Sequence, residues 1–133
     1  MSLKKNRSYE FPVTVEFEDV DSYQIVHHTK LIAYLERARL RLFTNLGFSL
    51  TDSPVHFVLH KIEMRYLKTA KLLDQLQVSV NVDSADGSKL ILSYRIKRDT
   101  MLIAKAKTTL ACINAESGKV ELIPDVLLET LKD

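Results

Sequence analysis

The chain has 133 residues, 46% of them hydrophobic and 27% charged, with 3 Gly, 3 Pro and no Trp. That length fits one domain over 1–133, and the apolar share with so little Gly and Pro excludes disordered, collagen-like and low-complexity chains. Lys and Arg number 19 against 17 Asp and Glu, a net charge of +2, which is too balanced for a dedicated nucleic-acid binder.

A lone cysteine, Cys112, cannot close an internal disulfide and fits a reducing compartment. The polar, basic opening through Arg7 has no apolar run behind it, so no signal peptide is expected. No stretch approaches the roughly 20 apolar residues of a membrane helix. The expectation is a soluble, cytoplasmic protein.

In chain order, Tyr9, Phe11, Val13, Val15 and Phe17 alternate with polar residues, which predicts a strand with one buried face. Pro12 lacks an N–H and places that strand at a sheet edge. Residues 18–28 have neither strand nor helix period and read as a loop. Leu31, Leu35, Ala38, Leu42 and Leu46 then follow helical spacing, with Ile32, Leu40 and Phe43 on an adjacent stripe. The spacing predicts a helix over Thr29 to Leu46, capped at Gly47 and wrapped by the rest of the domain. Strands return with Val58, His60, Ile62, Met64 and Tyr66 on one face, then Leu76 to Val82, Leu90 to Ile96, and Met101 to Ala115. Asp86-Gly87, Asp99-Thr100 and Ser117-Gly118 mark turns. Pro124 opens a short helix to Leu131. One strand, one helix and four strands joined by short links favour an α+β fold, an antiparallel sheet curled around the helix.

The loop over Asp19 to His28 holds two carboxylates, a tyrosine and two histidines just before a helix start. A helix N-terminus offers free N–H groups and partial positive charge, and can hold a developing oxyanion. A carboxylate nearby can serve as nucleophile or general base. The same aspartates can equally make turns and caps. Glu36 falls on an apolar stripe of the helix, where a carboxylate should be paired or have a raised pKa. His56 and His60 are four apart, but on a strand that reads as a core or pocket-lining histidine rather than a metal site. Cys112 reads as a packed thiol.

The run Phe17-Glu18-Asp19-Val20-Asp21-Ser22-Tyr23-Gln24-Ile25-Val26-His27-His28, followed by Glu36-Arg37-Ala38, resembles the 4-hydroxybenzoyl-CoA thioesterase and YbgC-type acyl-CoA thioesterases, with their aromatic-x-D-x-D loop and later E-R-A. Tyr66-Leu67-Lys68-Thr69-Ala70 and Leu73-Asp74-Gln75-Leu76 resemble a second segment of that family. The resemblance implies a hotdog fold, a five-stranded antiparallel sheet around one long helix. It implies hydrolysis of an acyl-CoA thioester by a homodimer, often assembled into a homotetramer, with no metal or organic cofactor. On the matching positions, Asp21 is the catalytic carboxylate and His28 lies where a helix-start N–H faces the thioester oxygen. Tyr23, Ile25, Val26, Ser88 and Lys89 are the implied substrate contacts. Tyr23-Gln24 stands where the family has two glycines, which let backbone and substrate approach closely; a Tyr there would narrow the site. Lys30 replaces a common Asn or Ser, and Asp86-Gly87 replaces a basic turn found in some members. These departures favour an alternative, an acyl-binding module that does not hydrolyse CoA esters or that takes its acyl group from an acyl carrier protein.

Overall fold

The computed structural model describes residues 7–49 and 51–132, so most of the basic start lies outside the described residues. Strand β1 (Ser8–Thr14) is followed by a 3₁₀ turn (Phe17–Asp19) and helix α1 (His28–Asn45). Strands β2 (Val55–Tyr66), β3 (Gln75–Asp86), β4 (Lys89–Arg98) and β5 (Met101–Asn114) come next, then helix α2 (Asp125–Lys132). The sheet order is β1-β3-β4-β5-β2, with every neighbouring pair antiparallel. This is the hotdog arrangement.

The period-2 pattern of β3 and β4 fixes which face meets the helix. Leu76, Val78, Val80 and Val82 on β3, and Leu90, Leu92, Tyr94 and Ile96 on β4, are all buried. Leu31, Tyr34, Leu35, Ala38, Leu42 and Phe43 of α1 join them in one core. Each fully buried Leu or Val contributes about 1.5–3 kcal/mol over an exposed one. Gly47, with φ +83, ends α1 in the left-handed region that glycine occupies without strain.

Three expectations change. Phe17 is 80% exposed, because β1 stops at Thr14 and the 3₁₀ turn breaks the alternation. Leu40 is exposed, so the apolar arc of α1 is narrower than its composition suggests. In β2, Leu59 stands opposite Leu110 but Lys61 stands opposite Thr109. His60 is the extra residue of a bulge, which turns the strand's faces over at that point. Ile62 and Met64 therefore pack inward, whereas Val58 faces out and is 41% exposed. His60 is exposed and lines no core.

Strand β2 holds both ends of α1. Phe57 stacks on Phe43 at 5.5 Å, and Phe48 lies 5.3 and 5.8 Å from the two rings. At the other end, Tyr66 meets His28 edge to face at 6.1 Å. The outer edge of β2 has no strand beside it among the described residues.

Under the sheet, the Tyr94 and Thr108 hydroxyls share a buried hydrogen bond of 2.9 Å. Thr108→Val should strand the Tyr94 hydroxyl and cost about 1–3 kcal/mol. Adding Tyr94→Phe should recover much of that loss, as read from denaturant unfolding of the two variants.

Candidate active site

The segment between β1 and α1 is organised by one buried acid. Asp19 is 4% exposed. Its Oδ2 accepts the Tyr34 hydroxyl at 2.7 Å and the Glu16 N–H at 3.0 Å. Its backbone carbonyl accepts the His27 N–H at 3.0 Å. Tyr34 lies on the buried arc of α1, where a hydroxyl needs a partner. A charge-assisted bond of this length is among the stronger ones in proteins. Burial, then the bond to Asp19, raises the Tyr34 phenol pKa well above its usual value. The loop is thus fastened to the helix before any catalytic group is placed.

Asp21 follows two residues later and is half-buried. Its Oδ1 accepts the N–H groups of Tyr23 (2.8 Å) and Ile25 (3.2 Å), while its own N–H donates to the Ile25 carbonyl at 3.0 Å. One carboxylate oxygen therefore makes the turn. Oδ2 has no hydrogen-bond partner among the described residues, so the turn-forming and reactive roles are compatible in one side chain.

A second segment props this loop from below. Val26 N–H donates to the Ala70 carbonyl, Leu72 N–H to the Gln24 carbonyl, and Leu73 N–H to the Val15 carbonyl. Asp74 accepts the Lys71 N–H at 2.8 Å and the Arg98 guanidinium at 2.6 Å, and Arg98 also donates to the Thr69 carbonyl. These are the residues of the second family-like segment, and their visible work is to hold the first. Gln24 has φ +65, the left-handed region. A glycine would sit there freely, which accounts for the family's preference at this place.

Helix α1 begins at His28, with His27 as N-cap and no side-chain cap. The N–H groups of His28 and Thr29 meet no acceptor among the described residues. No acid lies in the first turn, so the positive end of the helix is uncompensated there. His28 itself is exposed, its ring against Tyr66.

The other candidates divide. Tyr23 is 82% exposed. Ile25 is half-buried and bridged to Lys71. Val26 is committed to the core. Lys30 is half-buried in the first turn of α1. Ser88 and Lys89 lie at the far end of β3 from Asp74, roughly 35 Å along the strand. Within one chain the fold does not bring them to Asp21. Glu36 is exposed and has no ion pair among the described residues, correcting the expectation of a paired carboxylate on an apolar stripe. His56 and His60 are both exposed, and no group of three metal-ligating side chains occurs among the described residues. Cys112 is buried, and burial raises its thiol pKa. Sequence reasoning missed the Asp19–Tyr34 pair. Its signal was a tyrosine on the buried arc of a helix, which needs a partner for its hydroxyl.

Tyr34→Phe should remove one of the two donors to the buried Asp19 carboxylate and cost about 1.5–3 kcal/mol. It should also change the alkaline limb of stability. The folded Tyr34 and Tyr94 phenols have raised pKa values, burial being the first cause for both, whereas the unfolded phenols ionise near pH 10. Their contribution is complete below that pH and is lost as pH rises past it. The wild type should lose stability steeply above about pH 10 and Tyr34→Phe less steeply, as read from unfolding midpoints across pH.

A sequence model of the thioesterase-like superfamily matches residues 15–131. The acyl-CoA thioesterase YbgC of Haemophilus influenzae is 29% identical over 123 residues, covering 90% of this chain and 90% of that protein. The acyl-CoA thioester hydrolase YbgC of Escherichia coli is 28% identical over 128 residues, covering 93% and 96%. A crystal structure of a hypothetical protein from Aquifex aeolicus superposes with a TM-score of 0.86 at 27% identity, covering 92% and 98%. The match runs through the Asp19–His28 loop, both of its supports and every strand from β2 to β5, and on that extent the chain belongs to the thioesterase-like superfamily.

Proposed function

We propose that this protein hydrolyses the thioester of an acyl-CoA, with Asp21 as the catalytic carboxylate and the start of α1 as the oxyanion site. The observation that carries this reading is the pairing of a half-used carboxylate with an unsatisfied helix start. Asp21 spends Oδ1 on its own turn and keeps Oδ2 free. A few residues on, the His28 and Thr29 N–H groups have no acceptor. Membership of the superfamily and the YbgC relatives support the reaction class.

Two routes use these groups. As general base, Asp21 takes a proton from water, and the hydroxide adds to the thioester carbon. The oxyanion forms toward the helix start, the C–S bond breaks, and the CoA thiolate takes up the proton. As nucleophile, the carboxylate displaces the thiolate directly and water then hydrolyses the mixed anhydride. In both, the tetrahedral negative charge falls where the helix end is positive. Tyr23 and Ile25, whose N–H groups close the Asp21 turn, serve as contacts for the entering substrate, and Val26 supports them from the core.

We further propose that the working unit is a homodimer made through β2, alone or doubled into a tetramer. Its outer edge is twelve residues long with Val58 and Leu59 exposed on it. An open edge of that length invites pairing, and a twofold axis lets two copies close each other's edge. A second copy also offers its own Ser88 and Lys89 to the substrate, which the same chain holds far from Asp21. An acyl carrier protein in place of CoA as the acyl donor is the second reading, favoured by the acidic Asp86-Gly87 turn where some members carry a basic one.

Thiol release from a panel of acyl-CoAs tests the reaction. Asp21→Asn should lower kcat by about 100–10,000-fold; release unchanged in that variant sinks the assignment. No turnover with any CoA ester, but turnover of an acyl carrier protein ester, would replace CoA by the carrier. Sedimentation should show a dimer or tetramer that Leu59→Lys weakens, with activity falling in parallel. A wild-type monomer at full activity would overturn the dimer.

A further inference from the structure

On the face of the sheet turned away from α1, three cations stand in register on adjacent strands. Arg65 on β2 is opposite Lys105 on β5, and Lys105 is opposite Arg95 on β4. All three side chains are exposed, and none has an ion-pair partner among the described residues. Directly opposed cross-strand residues have Cβ atoms about 4.5–5.5 Å apart, and like charges so placed destabilise a sheet. The next row is different. There Lys107 pairs with Asp83 at 3.6 Å, Asp83 also accepts the Ser93 hydroxyl at 2.8 Å, and Glu63 pairs with Lys61 at 3.6 Å. Glu63 and Asp83 are already engaged, and Glu10, the acid of the same row, stands on β1 with Ser79 of β3 between it and Arg95, so none of the three cations has an acid directly opposite. It lines a cavity of about 660 Å³ together with Glu63, Asp83 and Lys107.

We propose that this row is a phosphate site, taking a small ligand that carries two or more phosphate groups. Two guanidinium forks and an ammonium suit phosphate oxygens, with the forks binding in bidentate fashion. A cavity of this volume is in the range that holds a nucleotide-sized molecule. A second copy of the chain is a poor occupant, because a twofold stacking of this face would set the cations against themselves. The phosphates come either from the nucleotide end of a CoA or from a free nucleotide. The first source has a structural argument: Arg65 adjoins Tyr66, whose ring rests on His28 at the start of α1. The site itself does not depend on the catalytic reading; only its assignment to the substrate rests on that.

Titration calorimetry with pyrophosphate, ADP and CoA tests it without any turnover. The wild type should bind a phosphate-bearing probe, more weakly as salt is raised. Arg95→Gln with Lys105→Gln should weaken binding by about tenfold per cation removed, whereas Lys119→Gln, exposed and outside the cavity, should leave it unchanged. The double variant should keep or raise its unfolding midpoint, since it relieves the opposed charges, so loss of binding cannot be loss of fold. A raised KM for acyl-CoA in that variant assigns the phosphates to the substrate. KM held constant while ADP binding is lost assigns them to a separate nucleotide. No heat with any probe, or heat indifferent to the double substitution, overturns the site. Neither result depends on what Asp21→Asn does to turnover.

Discussion

The contact between the Asp19 carboxylate and the Tyr34 hydroxyl is the constraint on which the candidate site depends. It joins the segment between β1 and α1 to the long helix of the fold. A buried carboxylate is costly unless its lone pairs are met, and here α1 supplies one donor and the Glu16 N–H another. Because both partners are buried, the loop has few alternative positions. The Asp21 turn, two residues on, inherits that placement. The His27 N–H, bound to the Asp19 carbonyl, carries it into the first turn of α1. Carboxylate and helix start are thus positioned by the same residue, from opposite ends of one short segment.

The division of labour between the two acids of the loop follows from burial. Asp19 is enclosed and tied through Oδ2 to Tyr34 and the Glu16 N–H, which suits an anchor. Asp21 is half-buried and half-occupied, which suits a group that must meet substrate and water. The second segment, from Tyr66 to Asp74, completes the support. Its Arg98–Asp74 bond at 2.6 Å closes the turn that accepts the Val26 N–H at Ala70 and donates the Leu72 N–H to Gln24. Much of what looks like a catalytic motif in the sequence is therefore scaffolding, with only Asp21 and the helix start left available for chemistry.

The succession of strands and helix along the chain was legible because their periods are simple. β3 and β4 alternate cleanly, and the apolar arc of α1 ends at a glycine with φ +83. What escaped were places where a local device interrupts a period. The bulge at His60 reverses the faces of β2, and no residue type announces it. The 3₁₀ turn turns Phe17 out and Asp19 in, against hydropathy, because a specific hydrogen-bond set outweighs the alternation. The Glu36 expectation failed for a related reason: the stripe it shares with Leu40 is fully buried only at Phe43, and Glu36 and Leu40 face outward. Long-range pairings such as Arg98 with Asp74 or Lys105 with Arg95 depend on register, which the pattern of one strand cannot fix. The distance of Ser88 and Lys89 from Asp21 likewise follows from the length of β3, not from their spacing in the chain.

Gln24 carries its left-handed backbone with a side chain that is exposed. Selection at this position therefore acts on main-chain conformation and hardly at all on side-chain contacts. Glycine is the least strained choice, asparagine and aspartate follow, and β-branched residues are nearly excluded. The loop can drift through several polar residues without disturbing its geometry, at a conformational cost of about 1 kcal/mol or a little more. Divergence at this glycine position is thus a weak guide to lost activity: the shape the glycine would supply has been kept, and only the ease of adopting it has been given up.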